Sequence, residues 1–359
     1  MGLFNDRATH LQKEIVPVWF MRQAGRYHGH YQNIKKNSDF MTMCKDPSLA
    51  TNVTMGPIEE FNFDAAILFS DLLFPLEKLG MGLSYKSGPP TLEFRLEKNE
   101  DLKKLNTTHL ASDFFKFQKE ACQKLRATLP KNKTLIGFVG APFTLYTYAV
   151  EGSHSGSLSS SKNGFYDGRF QGFMEHLIPD VLDEMCLQAE GGADAIALFD
   201  TAAGELTLND YKQFVLPQIL KLTGAFKNKF PQKKIIYYSK MTHQHYLEAL
   251  VEKDQSLGQS IDVLGVDWRM NLREALLKFG NKYYIQGNLD PSHLHLPKNI
   301  LLEKLKELWG EVTRDADRDG VPLNKWIMGL GHGVLQHTPE ENVLGAVEFI
   351  HQNFHYSKS

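Results

Sequence analysis

Two arginines four residues apart, Arg22 and Arg26, follow an apolar run at Val16–Met21. Lys240 and His332 lie just beyond two later runs, Ile235–Tyr238 and Trp326–Leu330. Arginine offers paired N–H donors that match a carboxylate or phosphate, and lysine and histidine add positive charge. Gathered on one rim, these groups would form an anion-binding mouth. Other polar residues occupy the same kind of place: Ser70 and Asp71, Tyr146 and Tyr148, Asp200 and Thr201, Asp267, Asn288 and Asp290. Any one of them could be an ordinary turn residue, because loops are polar. The set gains meaning only if the run ends meet.

The pattern between the runs says how they would meet. Eight short apolar runs recur: Val16–Met21, Ala65–Phe69, Thr134–Val139, Ala193–Phe199, Ile235–Tyr238, Ile261–Val266, Tyr283–Gln286 and Trp326–Leu330. Most are rich in Val, Ile and aromatics and are too short to be buried helices, so they predict strands. Helical patterns separate them. Three of these are expected to stop at glycine: 173–190 before Gly191, 272–279 before Gly280, and 300–309 before Gly310. Strand–helix alternation predicts parallel strands with helical crossovers. Eight such units predict a single-domain (β/α)8 TIM-like barrel spanning 1–359, with reacting groups at the C-terminal strand ends. Leu83–Tyr85 and Thr91–Phe94, around Ser87-Gly88-Pro89-Pro90, predict a hairpin insertion. The Ser/Gly-rich stretch Ser153–Ser161 reads as a mobile surface loop.

The whole chain of 359 residues has 42% apolar and 23% charged residues, an ordinary globular balance that argues against disorder. Its 40 basic and 42 acidic side chains leave a net charge of −2. That argues against non-specific nucleic-acid binding. No apolar run approaches the ~18 residues of a membrane span. The start, Met1 to Arg7, lacks a signal-peptide pattern, and Asp6 stands where a myristoylation signal needs Ser or Thr. Cys44, Cys122 and Cys186 form no CxxC pair and read as reduced thiols of a cytoplasmic protein.

One segment is more specific. Pro17-Val18-Trp19-Phe20-Met21-Arg22-Gln23-Ala24-Gly25-Arg26-Tyr27 resembles the N-terminal signature of the uroporphyrinogen decarboxylase family. Ordered matches follow at Asp46–Ala50, Phe63–Asp71, Gly140–Leu145, Thr147-Tyr148, Val150-Glu151-Gly152, Leu264–Trp268, Gly287–Pro291 and Leu330–Gly333. The resemblance covers nearly the whole chain. It implies a homodimeric barrel that removes carboxyl groups from the four acetates of uroporphyrinogen, without metal or organic cofactor, in haem synthesis. The implied substrate-binding positions are Arg22, Gln23, Ala24, Gly25, Arg26, Asp71, Tyr148, Thr201 and His332. Asp71 is the expected stabiliser of the reacting pyrrole, and Arg22 or a water the expected proton donor. The chain departs from the family at Thr201, where serine is usual. It also departs at His28-Gly29-His30, at Lys35 for an arginine, at Met241 and Thr242 for glycines, and in the loop after Gly152.

Three other readings compete. HxH pairs at His28/His30, His243/His245 and His293/His295 could ligate a metal, but they fall in loops and helix starts and are expected to be surface histidines. A cobamide-dependent methyltransferase of the same fold would need a thiolate at a strand end. A non-catalytic tetrapyrrole binder would have no need of Asp71.

Overall fold

Seven of the eight apolar runs form strands in the computed structural model, which describes residues 2–4, 15–85 and 89–356. They are β1 (Ala65–Ile67), β2 (Thr134–Gly140), β3 (Ala195–Asp200), β4 (Lys234–Ser239), β5 (Val263–Gly265), β6 (Tyr284–Leu289) and β7 (Trp326–Leu330). All pair in parallel, in chain order from β1 to β7. Helices intervene between successive strands, as parallel pairing demands.

Side chains alternate along each strand, and both faces are buried. Ala195, Ala197 and Phe199 of β3 belong to one apolar cluster, while Ile196 and Leu198 belong to another. Ile236 and Tyr238 of β4 divide from Ile235 and Tyr237 in the same way. The first cluster also takes Ala65 and Ile67 from β1, Val263 from β5 and Ile327 from β7. In a flat sheet, with strands ~4.8 Å apart, β1 and β7 would be about 29 Å from each other. Sharing one cluster requires the sheet to curl, and the architecture is an α/β fold consistent with a TIM-like barrel. The helices cover the outer face.

The run Val16–Met21 departs from expectation, forming one parallel bridge, Val18 to Met328, rather than a strand. Pro17 has no N–H to give a ladder, and the chain turns at once, with Gln23 N bonded to Phe20 O. The segment still lies between β7 and β1. Met328 N donates to Pro17 O at 2.8 Å, and Asp64 N donates to Val18 O at 2.9 Å. Trp19 and Met21 project into the inner cluster. Fully burying such a side chain contributes about 1.5–3 kcal/mol, which helps hold the following arginine turn against the sheet.

Glycine ends one of the three expected helices differently. The helix Lys298–Thr313 runs through Gly310. Its apolar face continues through Leu301, Leu305 and fully buried Val312, outweighing the ~1 kcal/mol that an interior glycine costs. Asp6 and the turn Ser87-Gly88 lie outside the described residues. Ser84 and Thr91 exchange two antiparallel backbone bonds, of 2.9 and 3.0 Å.

Candidate active site

The arginine turn is built from two opposed choices. Gln23 is wholly buried: its Nε2 donates to Ala65 O at 2.9 Å, and its Oε1 accepts from Phe20 N at 3.2 Å. This side chain ties the turn to β1 and does not reach the mouth. Arg22 takes the left-handed conformation, with φ of 63°, which is sterically costly outside glycine. Its side chain lies over Gly333, where an added Cβ would come within 2.5 Å of Arg22 Cδ. That places Arg22 beside His332. Arg22 reaches solvent yet is surrounded by protein, and burial lowers its pKa, with Arg26 adding to the effect. Both observations fit a side chain inside an open mouth.

Asp71 is 7% exposed. Its Oδ1 accepts from Leu73 N at 2.9 Å, a local turn bond that fixes the carboxylate's direction. Its Oδ2 is buried with no partner in strict hydrogen-bonding geometry. Burial raises its pKa; the nearby Tyr85 hydroxyl and the Leu73 N–H oppose that rise. Tyr148 lies within electrostatic reach of both Arg22 and Asp71, and burial pushes its phenol up to about 12, so it remains a neutral donor. Thr201 Oγ1 is likewise buried without a partner. Orphaned buried polar atoms are uncommon in folded proteins and call for a ligand or water.

His332 Nδ1 accepts from Gly333 N at 2.6 Å, which leaves the proton of the neutral ring on Nε2 as a donor. Burial, then Arg22, Lys240 and His154, push its pKa down to about 3. Between pH 6.5 and 3 the unfolded chain therefore takes up a proton that the folded site refuses, so this stability contribution is lost as pH falls through that window. His332→Gln should accordingly lose less stability than wild type between pH 7 and pH 5, read as the change in urea midpoint. An equal change in both proteins would show that His332 does not resist protonation.

Other strand-end polar groups serve the scaffold. Asp200 is fully buried and accepts from Thr144 Oγ1 and Tyr237 Oη, each at 2.9 Å; burial raises its pKa to about 6. Asp267 accepts from Met241 N at 2.8 Å and pairs with Arg269. That bond holds Met241 left-handed, at φ 60°, where relatives are expected to carry glycine. Asn288 donates to Asp267 O and Met270 O, Asp290 caps Ser292 N, and Tyr146 is fully buried against Phe170 and Phe173. Ala24 and Gly25 complete the turn between the arginines, with Gly25 O accepting from His28 N.

The sequence reading missed Tyr85 and His154, both of which reach this rim. His28 is also corrected: it is fully buried rather than on the surface, and its Nε2 bonds Glu60 at 2.9 Å. Among the described residues one His/Cys/carboxylate group is close enough to hold a metal: His28, Glu60 and Glu340. It ties helix starts and ends together, and includes none of the rim residues.

Curled parallel sheet, cationic rim and an open buried carboxylate define an α/β-barrel-like enzyme with an anion-binding mouth. A family model described as uroporphyrinogen decarboxylase (URO-D) matches residues 4–353. A protein named uroporphyrinogen decarboxylase from Geobacter sulfurreducens is 36% identical over 339 residues, covering 94% of each chain. Another so named, from Solibacter usitatus, is 34% identical over 354 residues, covering 97% of this chain and 96% of its own. The chain belongs to the uroporphyrinogen decarboxylase family. A solved methyltransferase from Methanosarcina mazei shares its fold at a TM-score of 0.69 over 94% of each chain, with 16% identity.

Proposed function

We propose that this protein decarboxylates the four acetate side chains of uroporphyrinogen III to methyl groups, giving coproporphyrinogen III in tetrapyrrole synthesis. Asp71 carries the reading: a buried carboxylate with the Tyr85 hydroxyl beside it, on the same rim as Arg22, with Tyr148 in electrostatic reach of both. The substrate has eight carboxylates around four pyrrole N–H groups, so it needs cations outside and one anion inside.

Loss of CO2 directly from a pyrrole acetate would leave an unstabilised carbanion. Protonating the pyrrole ring first makes it an electron sink. The C–CO2 bond then breaks into the ring, a proton adds to the freed methylene, and the ring gives up its extra proton. Each acetate consumes one proton in all. Asp71 accepts the pyrrole N–H and stabilises the cationic ring more than the neutral ground state. The burial that raises the pKa of Asp71 also strengthens its pull on that cation. Arg22 and Arg26 bind acetate or propionate groups through paired N–H bonds. Lowered by burial, the Arg22 guanidinium is a stronger acid than a free one, which supports it, alone or through a water, as the proton source. Tyr148, Thr201 and His332 hold further carboxylates.

In this reading the residues act within one domain spanning 1–359, an (β/α)8 barrel closed by Val16–Met21 with a hairpin at Leu83–Phe94. One outer cluster reaching from Val16 to Phe354 supports it. The protein works as a cytoplasmic homodimer. Free, buried Cys44, Cys122 and Cys186 support a reducing compartment, and exposed Met241 and Leu335, each 41% accessible, suit contact with a second copy. Those buried thiols, all pushed up by burial, do not suit the thiolate ligation of a methyltransferase. No helix among the described residues is long and apolar enough to cross a membrane.

Anaerobic incubation with uroporphyrinogen III, before and after exhaustive chelation, tests the proposal. Stepwise loss of four carboxyls, unchanged by chelation, is expected. Intact substrate would overturn the activity; loss restored by zinc would overturn the cofactor-free mechanism. Thr201 offers a finer check. Thr201→Ser keeps the hydroxyl and should stay within about twofold of wild-type kcat/KM. Thr201→Val keeps the shape but loses a bond to a charged group, contributing about 1.5–3 kcal/mol, so it should fall at least tenfold. Tolerance of Val and not of Ser would make Thr201 a packing residue.

A further inference from the structure

The loop after Gly152 carries a group that neither the expected site nor the mechanism uses. His154 projects from it against Tyr148, with ring centroids 5.4 Å apart. Its Nδ1 is buried with no hydrogen-bond partner beyond the backbone of its own residue. The stretch is less free than its Ser/Gly composition suggests. Ser159–Asn163 form a helical turn, and Ser161 is fully buried, with its N and Oγ both donating to Glu151 Oε1. The loop is therefore anchored on both sides of His154: by the helix that carries Tyr148 and by this turn.

Four charged or titratable groups face the ring from other elements, besides Tyr148: Lys240 after β4, Arg22 from the arginine turn, His332 after β7, and Glu205. Burial comes first in keeping the imidazole neutral, with Lys240 and Arg22 adding to it and Glu205 opposing. A neutral ring with a nitrogen met only by its own backbone, set among cations, is poised to become charged when an anion arrives. A carboxylate placed between Lys240 and His154 would reverse the local field, and the ring would take up a proton and form a charge-assisted bond.

We propose that His154 is a further substrate-binding residue, which seizes one peripheral carboxylate of the macrocycle and is protonated as it does so. The inference rests on the activity proposed above and adds to it a proton-coupled contact on the Tyr148 side of the mouth. Asp71 is not among the charged groups that act on this ring, so the contact governs KM more than kcat.

The test is anaerobic steady-state turnover of uroporphyrinogen III from pH 6 to pH 8 by wild type, His154→Asn and His154→Lys, after matching melting temperatures are confirmed. His154→Asn should raise KM about fivefold or more at pH 6, less at pH 8, and leave kcat within about twofold. The sign follows from the chemistry: at high pH the wild-type ring is neutral even with substrate bound, and its advantage over asparagine shrinks. His154→Lys, permanently charged, should restore a low KM and remove the extra pH dependence. An Asn variant whose KM matches wild type, or exceeds it by one constant factor at every pH, overturns the assignment of His154 while leaving the decarboxylase reading intact. No turnover by wild type would overturn both.

Discussion

Asp71→Asn should bind uroporphyrinogen in weakened form and decarboxylate it about 10²–10³ times more slowly, the usual cost of removing one preorganised group that acts on developing charge. The two side chains have nearly the same volume, and the bond that Leu73 N gives to Oδ1 can go to the amide oxygen instead. Folding should thus survive, and an unchanged melting temperature would confirm it. What disappears is the negative charge beside Oδ2, in a pocket where burial makes that charge count for more. The neutral macrocycle meets it only as a hydrogen-bond acceptor, whereas the protonated ring meets it as a counterion. Affinity and single-turnover rate, measured on the same variant, separate these roles. Collapsed binding with a normal rate for the bound fraction would make Asp71 an anchor only; no change in either would reduce it to a turn residue.

Arg22→Ala and Arg26→Ala should each lower kcat/KM at least tenfold, since each strips a substrate carboxylate of a partner contributing about 1.5–3 kcal/mol. Arg22 permits a sharper version. It sits at φ 63°, a conformation costing about 1–2 kcal/mol for a residue with a Cβ. Glycine adopts it without that cost. Arg22→Gly should therefore be as inactive as the alanine variant while unfolding at a higher temperature than Arg22→Ala. Such a result would show that the strained backbone is kept for the side chain it aims. Wild-type kinetics in both variants would place the rim elsewhere.

Much of this site is legible in the period-two alternation of the strands. Counting inward positions from Ala195, Ala197 and Phe199 leads to Thr201, and Ile236 and Tyr238 lead to Lys240; past β1 the count breaks, because Phe69 packs in the outer cluster, and Asp71 is reached only through the turn that follows. The same count puts Asp200 on the outer side, where it accepts from Thr144 and Tyr237. Strand-end position alone does not separate the two sets. Within the arginine turn no periodicity exists, so nothing marks Gln23 as turned inward to Ala65 O rather than toward substrate. His154 was hidden for a related reason. Its loop has the composition of a solvated linker, and what aims the ring is an anchor seven residues on, through Ser161 and Glu151. Val16–Met21 has the apolar content of a strand, but backbone donors decide strands, and Pro17 lacks one.

The inner apolar cluster has a consequence for traffic. Trp19, Ile67, Ile136, Phe199, Tyr238 and Ile327 are each at most 9% exposed, so the interior of the curled sheet beneath the rim is packed solid. Among the described residues nothing opens a second route through this packing, so the substrate would enter and leave by the mouth. In the proposed mechanism one Asp71 serves one pyrrole at a time, and four acetates would be presented to it in turn. A macrocycle pinned in a blind hole by its peripheral carboxylates cannot turn over there, however freely its methylene bridges flex. The macrocycle must back out at least partly between rounds, and it then competes with fresh substrate for re-entry. Chains of reactions run through such a dead end leak their intermediates in proportion to the substrate waiting outside.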